Sequence, residues 1–246
     1  MLNYIKAELY KDLNRLSYKI TILILVLLSV TANVLFTGPK VTALESMYMA
    51  MNCLPAVVFL IMMYIDVTEE LKDKTLRNTL TSGLSREKLY ISKLIIPIII
   101  SFITCIFILV FFVGSTLLFL KSGNLSSAIL TNLLLRLLCA IPLYIAAISF
   151  GVLLSFILKN QYAFAYTYIG IFALMGTFIK LLCAFVSNKF YGIYNILITT
   201  NISVLTPVKN SNLTSLQMLH SIGLGFAYTI IFTIIGIIIF RKIEIK

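Results

Sequence analysis

The chain has 246 residues, 60% of them hydrophobic and 12% charged, and a formal net charge of +11. A water-soluble domain of this length cannot bury so much apolar surface, so the composition excludes an ordinary soluble protein and indicates a bilayer protein. The basic residues are not interleaved on one soluble module, which excludes a nucleic-acid-binding protein and removes nucleic acid as a partner.

Six runs are apolar enough to be membrane-spanning helices, because about 20 apolar residues are needed to cross the hydrocarbon layer. They are continuously apolar and do not alternate as the strands of a membrane barrel would. The sequence therefore predicts an all-α, polytopic membrane protein with a single transmembrane domain over residues 1–246. The predicted spans are 20–36, 47–65, 94–120, 128–157, 163–186 and 217–240.

The positions of the Lys and Arg residues predict the topology. Most of those outside the spans precede the first span, separate the second span from the third, or follow the sixth. Only Lys40, Lys121, Lys189 and Lys209 fall in the alternate connections. Basic connections stay in the cytoplasm. We therefore expect a multi-pass protein of a plasma membrane with the N- and C-termini both cytoplasmic.

The first predicted element, residues 3–19, has Ile5, Leu9, Leu13 and Leu16 at helical spacing and charges elsewhere around the helix. This amphipathic pattern predicts an interfacial helix along the inner surface of the membrane. A cytoplasmic extension that merely satisfies the charge rule is the alternative.

Amide and methionine side chains single out the first two spans. Asn33 and Asn52 each carry an amide that is costly in hydrocarbon unless it faces a partner or water. The second span contains five of the eight methionines, Met51 and Met62 among them, and Met-rich surfaces adapt to apolar ligands of varied shape. These four residues are predicted to line the substrate pathway. Membrane lipid is a further expected partner of the chain. For the methionines, gap filling between helices is the alternative.

Two prolines and an arginine mark the third and fourth spans. Pro97 is predicted to lie in the first turn of the third span, where proline is tolerated, whereas Pro142 is expected to kink the fourth. Arg136, near the start of the fourth span, is expected to snorkel to the outer interface or to face a cavity or a carboxylate.

Small residues recur every four positions in the fourth span, at Ala147, Gly151 and Ser155. This spacing predicts a face that packs closely against another helix.

The segment 187–213 is half apolar but is interrupted by Asn188, Gly192, Asn195 and Pro207. It is too broken for a span and too apolar for a solvated extracellular loop. We therefore predict short re-entrant or interfacial helices that are packed on protein.

The chain has no motif that indicates catalysis, a bound nucleotide or a metal site. The lone His220 is interpreted as a polar group at a helix end, and the glycosylation pattern at Asn201 as a chance match in an Asn-rich chain. No carboxylate lies well inside a span, which disfavours an ion-coupled transporter. The chain is therefore not predicted to be an enzyme, and transport would need a separate source of energy.

The longest charged stretch, residues 66–93, separates the second and third spans. Leu76, Leu80 and Leu84 are spaced by four and so lie on one face of a helix, with charges on the other. Such a helix can rest on lipid headgroups or dock against a protein.

This stretch resembles the cytoplasmic loop between the second and third spans of type-2 ATP-binding-cassette (ABC) permeases. In that family a carboxylate five residues before a threonine opens a helix that leads to a Ser-Arg turn and a lysine. The matching residues are Glu70, Thr75, Leu76, Leu80, Gly83, Leu84, Ser85, Arg86, Leu89, Tyr90, Ser92 and Lys93. The sequence departs from the family at Lys74, where many members have glycine.

The resemblance implies that residues 66–93 are a cytoplasmic coupling segment, in which Glu70–Leu84 is the coupling helix that docks on a separate cytoplasmic ATPase subunit, which binds the ATP and Mg. Glu70 and Arg77, two turns apart, would clamp charges on that partner. The implied ATPase-coupling residues are Glu70, Thr75, Leu76, Arg77, Leu80, Gly83, Ser85, Arg86 and Lys93. The chain itself would hold no cofactor, and two copies would assemble with two ATPase chains.

The Gly83-x-Ser85-Arg86-x-x-x-Tyr90-x-Ser92-Lys93 signature is similar to peptide-handling members of the bacitracin and lantibiotic type. The expected cargo is an amphipathic or hydrophobic peptide, exported through a bacterial plasma membrane or expelled for self-immunity. Drugs, lipids and polysaccharide stay open as cargo. The competing class is a non-transport scaffold or sensor that recruits a cytoplasmic partner.

Overall fold

The computed structural model describes residues 1–35, 43–64, 80, 83–119, 127–158, 160–206 and 214–242. Within these residues the chain is helical between short turns and contains no β-strand. The helices are α1 (Leu2–Asn14), α2 (Leu16–Leu35), α3 (Ala43–Tyr64), α4 (Arg86–Phe119), α5 (Ser127–Leu158), α6 (Gln161–Phe185), α7 (Tyr191–Ile196), α8 (Ile198–Leu205) and α9 (Ser215–Lys242). A π-helical turn, Gly170–Leu174, lies inside α6, and a short 3-10 turn, Asn188–Phe190, precedes α7.

Five of these helices, α2, α4, α5, α6 and α9, are long and apolar enough to cross a membrane. The all-helical prediction is thus confirmed for the described residues, and the architecture is that expected of a polytopic membrane protein. α3 has 22 residues, and its apolar part is Met51–Met62.

The N-terminal amphipathic helix is shorter than predicted. α1 ends at Asn14, and Arg15, with φ −59° and ψ 130°, separates it from α2. Ile5 is 6% exposed and belongs to an apolar cluster with Tyr18 of α2 and Ile96 of α4. The apolar face of α1 therefore packs on the helices of its own chain.

α4 begins at Arg86, well before the predicted residue 94. Ser85 precedes it, a residue type favoured before a helix, and its carbonyl accepts the Leu89 N–H at 3.0 Å. Pro97 therefore lies inside α4 and not in its first turn. Its ring removes one intrahelical donor, that to the carbonyl of Lys93.

α4 and α5 are the central helices of the bundle. α4 contacts α1, α2, α3 and α9, while α5 contacts α3, α6, α8 and, most extensively, α9. We call the end that carries α1, the start of α4 and the end of α9 the charged end, and the opposite end the far end.

Small residues allow the closest helix approaches. The predicted face of Ala147, Gly151 and Ser155 is confirmed, because all three are buried. A Cβ added at Gly151 would lie 2.7 Å from Met62 Cγ in α3, and the Tyr168 hydroxyl in α6 donates to the Ala147 carbonyl at 3.1 Å. This face of α5 therefore serves two neighbours, α3 and α6.

The contact between α5 and α9 depends on two glycines of α9. α5 continues through Pro142 as one helix, and a Cβ at Gly225 would lie 2.6 Å from the carbonyl carbon of Pro142. A Cβ at Gly236 would overlap the hydroxyl of Tyr90, whose side chain is fully buried against Phe156 and Phe240. Both positions require glycine for lack of space.

We predict that Gly225→Ala destabilises the full-length protein in detergent by about 1–3 kcal/mol, because the new methyl group meets backbone atoms that cannot rotate away. Thermal unfolding followed by circular dichroism measures the change. The matched control is Gly223→Ala on the same helix, where an added Cβ meets nothing within 4 Å. Equal melting temperatures for the two variants would contradict the close approach.

Candidate functional site

The described part of the charged segment is attached to the bundle by leucines. Leu80 and Leu84 are half-buried and pack against the apolar cluster that includes Tyr90 and Phe240. Between them the chain turns at Gly83, whose φ of +94° suits glycine, and the Gly83 N–H donates to the Leu80 carbonyl at 3.1 Å. At Leu80 and Leu84, the leucine face therefore packs against helices of the same chain.

Charged residues join the same segment to the end of α9. Arg86 Nη1 donates to the Arg241 carbonyl at 2.8 Å, and Arg241 forms an ion pair with Glu87. The last carbonyls of a helix lack intrahelical donors, and Arg86 supplies a donor to one of these carbonyls. The start of α4 and the end of α9 are thereby linked directly.

The predicted coupling residues fall into three groups. Glu70, Thr75, Leu76 and Arg77 lie outside the described residues. The structure brings Leu80, Gly83, Ser85 and Arg86 together at the charged end. Lys93 lies apart from them, further along α4, where it contacts Glu8 of α1.

Lys93 faces α1. Its Nζ is 3.4 Å from Glu8 Oε2 and 5.4 Å from the centre of the Tyr4 ring, and its side chain is 5% exposed. A buried ammonium needs an opposite charge and an aromatic face of this kind. Lys93 therefore holds α1 on the bundle.

Asn33 of the predicted pathway makes contacts within one protomer. Its side-chain NH₂, which has two hydrogens, lies within hydrogen-bonding distance of three oxygens: the Phe112 carbonyl at 3.1 Å, Ser115 Oγ at 2.7 Å and Thr116 Oγ1 at 3.0 Å. The residue is fully buried, so it ties α2 to α4 at the far end. The amide thus has the partner that its place in hydrocarbon requires.

The other predicted pathway residues are not brought together with Asn33. Met51 and Met62 are buried among helices, whereas Asn52 lies on the surface of the protomer. An apolar cavity of about 240 Å³ lies between α3, α4 and α5, lined by Leu54, Phe102, Leu138 and Tyr144 among others. None of the four predicted residues lines it.

α7 and α8 form a short helical hairpin: α8 packs on α5 and α9, whereas α7 contacts α6 and has no buried residue. The turn at Leu197 borders a cavity whose other lining residues include Phe150 of α5, Met175 of α6 and Tyr228 of α9. Met175 and Tyr228 lie near the middle of α6 and α9, so the turn lies beside the middle of these two helices. Short helices are present in the described part of the segment 187–213, and α8 contacts α5 and α9.

Two side chains satisfy the carbonyl groups at the end of α7. Asn201 Nδ2 donates to the carbonyls of Asn195 and Leu197, each at 2.8 Å, and the Tyr228 hydroxyl donates to Ile196 at 3.2 Å. Water cannot supply these donors at the middle of an apolar bundle. Asn201 is 5% exposed, so it serves as a structural donor and not as an open glycosylation site.

Arg136 satisfies the end of α8. Its Nη1 donates to the Leu205 carbonyl at 3.2 Å, its Nε donates to Asn132 Oδ1 at 3.0 Å, and the residue is 1% exposed. This burial excludes the expected snorkelling. His220 Nδ1 lies 3.3 Å from Asn201 Oδ1, which connects the start of α9 to the hairpin.

No protein-family model matches the chain, and no curated protein matches it.

The contacts that Asn201, Tyr228 and Arg136 make with the hairpin were not predicted from the sequence. The signal in the sequence was Asn201 itself, a costly amide in an apolar segment, since such a residue demands a partner.

We predict that Asn201→Ala destabilises the hairpin by about 1–3 kcal/mol, because the Asn195 carbonyl loses its side-chain donor and the Leu197 carbonyl keeps only the backbone N–H of residue 201. Hydrogen exchange of α7 and α8 amides, read by mass spectrometry, should accelerate. Asn195→Ala is the control, because the Asn195 side chain is exposed while its backbone carbonyl is retained. Unchanged exchange in Asn201→Ala would refute the assigned role.

A second pair of variants tests the attachment of α1. Lys93 and Lys11 lie at the same distance, 3.4 Å, from the same oxygen of Glu8, but the Lys11 side chain is 52% exposed. Lys93→Met should accelerate exchange in α1 clearly, whereas Lys11→Met should have little effect, because exposed ion pairs contribute only about 0–1 kcal/mol. Equal effects would show that burial of Lys93 is unimportant.

Proposed function

We propose that this chain is the membrane subunit of an ATP-driven exporter that works with a separate ABC-type ATPase. In this proposal α3 also crosses the membrane, as the second of six spans, both termini face the cytoplasm, and residues 66–93 contact the ATPase. The proposal rests on the resemblance of that segment to type-2 ABC permeases, together with the position of its described residues, Leu80 and those from Gly83 onward, at the charged end.

The observation that supports the proposal best is the attachment of the segment's end. A membrane subunit that is displaced by an ATPase must transmit this displacement to its membrane-spanning helices. Leu80 and Leu84 seat the segment on the apolar cluster, and Arg86 and Glu87 join it to Arg241 of α9. Displacement of this end would therefore move α4 and α9 together.

This attachment changes the expected mode of docking. The leucine face at Leu80 and Leu84 is used by the protein's own core. The ATPase would then contact the polar side of the segment, including the charges of Glu70 and Arg77. Charge-assisted contacts of this kind fix the orientation of a docked helix better than apolar contacts alone.

The proposed assembly contains two copies of this chain and two ATPase chains, which hold the ATP and Mg. The proposed cargo is an amphipathic or hydrophobic peptide in a bacterial plasma membrane. A pathway between two copies would run along protomer surfaces. Of the four predicted pathway residues the proposal therefore keeps Asn52, which lies on the surface.

The proposal predicts that the full-length chain, purified from native membranes, carries an ABC ATPase and stimulates ATP hydrolysis. The double variant Glu70→Gln/Arg77→Gln should lose most of both, at least about tenfold in recovered ATPase, because two charge-assisted contacts are removed. Co-purification, identified by mass spectrometry, and phosphate release are the two measurements.

Lys6→Gln is the control, since Lys6 is an exposed basic residue of α1 outside the segment. Full ATPase recovery and activity in the double variant would eliminate the docking segment. A recovered partner without nucleotide hydrolysis would support the scaffold or sensor class instead.

A further inference from the structure

A polar cavity of about 270 Å³ lies between α6 and the α7–α8 hairpin. Its polar lining residues are Thr177, Lys180, Tyr194, Thr199, Thr200 and Ser203. Neither the packing of the bundle nor the proposed contact with an ATPase uses this cavity. It brings several hydroxyl groups and one ammonium together, of which Thr177, Lys180 and Ser203 are exposed and Thr200 is buried.

The start of α8 borders the cavity. The first N–H groups of a helix have no intrahelical acceptor, and Leu197, which precedes α8, offers no side-chain cap. Thr199 and Thr200 in that first turn line the cavity. The partial positive charge of a helix N-terminus therefore faces a polar space near the middle of the bundle.

Thr200 provides an independent sign that the cavity suits a polar ligand. It is 7% exposed, and its hydroxyl has no hydrogen-bond partner among the described residues. Other helical threonines behave differently: Thr229 and Thr233 donate to carbonyls one turn back, at 2.8 and 2.7 Å. A buried hydroxyl without a protein partner is costly, so Thr200 offers a hydrogen-bond donor to a ligand in the cavity.

Lys180 supplies the charge. It lies on α6 at the same cavity, and within the described part of the chain it makes no hydrogen bond or ion pair. An ammonium has three donors and no acceptor. The helix N-terminus, the hydroxyl groups and Lys180 all favour a ligand with negative charge.

An apolar cavity adjoins the polar one. It has a volume of about 240 Å³ and shares Phe172 and Thr199 with the polar cavity. Phe150, Met175 and Phe232 complete much of its wall. The shared Phe172 lies in the π-helical turn of α6, an irregularity that often marks a functional site.

We propose that the paired cavities bind an anionic amphiphile, with its phosphate or carboxylate between Lys180 and the start of α8 and its apolar part beside Phe172. Discontinuous helices in other membrane proteins point their N-termini at anionic groups for the same electrostatic reason. The site does not depend on an ATPase partner, so it can be tested on this chain alone.

The test uses the full-length chain in phosphatidylcholine nanodiscs, titrated with dioctanoyl phosphatidic acid and followed by thermophoresis, with protein-free nanodiscs subtracted. Dioctanoylglycerol has the same tails without the charge, and inorganic phosphate has the charge without tails. We expect both to bind at least about tenfold more weakly than the phosphatidic acid, because each fills only one cavity.

Lys180→Gln and Thr200→Val should each weaken binding of the phosphatidic acid, the first by about tenfold, because a charge-assisted contact is lost. Lys180→Arg should retain binding, and Lys189→Gln is the control, since Lys189 is exposed outside the cavity. Matching melting temperatures confirm that the variants fold.

Three outcomes would overturn the proposal. Wild-type affinity in Lys180→Gln would remove the lysine, and equal losses in Lys180→Gln and Lys189→Gln would indicate general attraction to the surface. Inorganic phosphate that binds as tightly as the phosphatidic acid would show a site for free anions and exclude the amphiphile.

Discussion

The backbone of a membrane helix cannot be interrupted without donors and acceptors from the protein, and this constraint governs the region before α9. The chain leaves α7 at Ile196 and enters α8 at Ile198, near the middle of the bundle. Asn201 and Tyr228 donate to the carbonyls at this break, and Arg136 donates to the Leu205 carbonyl at the C-terminus of α8. α5, α8 and α9 are thereby connected through polar contacts that an apolar environment strengthens.

At the charged end the connections have a different character. Tyr90 fits against the glycine face of α9 beside Phe156 and Phe240, and the ion pairs of Lys93 and Arg241 attach α1 and α9 to α4. Close packing transmits displacement because an interior without voids cannot absorb it. α4 is therefore the element through which a force applied near Arg86 would reach the first helix and the last.

The sequence allowed the helical architecture to be predicted, since long apolar runs have few alternatives in a bilayer. The small-residue face of α5 was also predictable from its spacing. The start of α4 at Arg86 was not predicted, because the residues before 94 are charged and the predicted span covered only the apolar run. The roles of Arg136 and Lys93 depended on which helix lies opposite, and periodicity along one helix carries no information about its neighbours. Asn33 was noticed for its cost in hydrocarbon, but its partners lie some eighty positions away along the chain and no local pattern identifies them.

The break at Leu197 exposes two kinds of backbone group, and the protein treats them differently. The carbonyls of Asn195, Ile196 and Leu197 accept hydrogen bonds from Asn201 and Tyr228. The N–H groups at the start of α8 receive no side-chain cap, although a serine or asparagine in place of Leu197 would provide one. A break required only for structure would be satisfied on both sides, because each unsatisfied group in an apolar environment is costly. The uncapped side faces Lys180 and the unpartnered hydroxyl of Thr200, so three groups that need negative charge or acceptors meet in one cavity. This one-sided arrangement is the physical reason to regard the hairpin as a binding element and not only as a filler between spans.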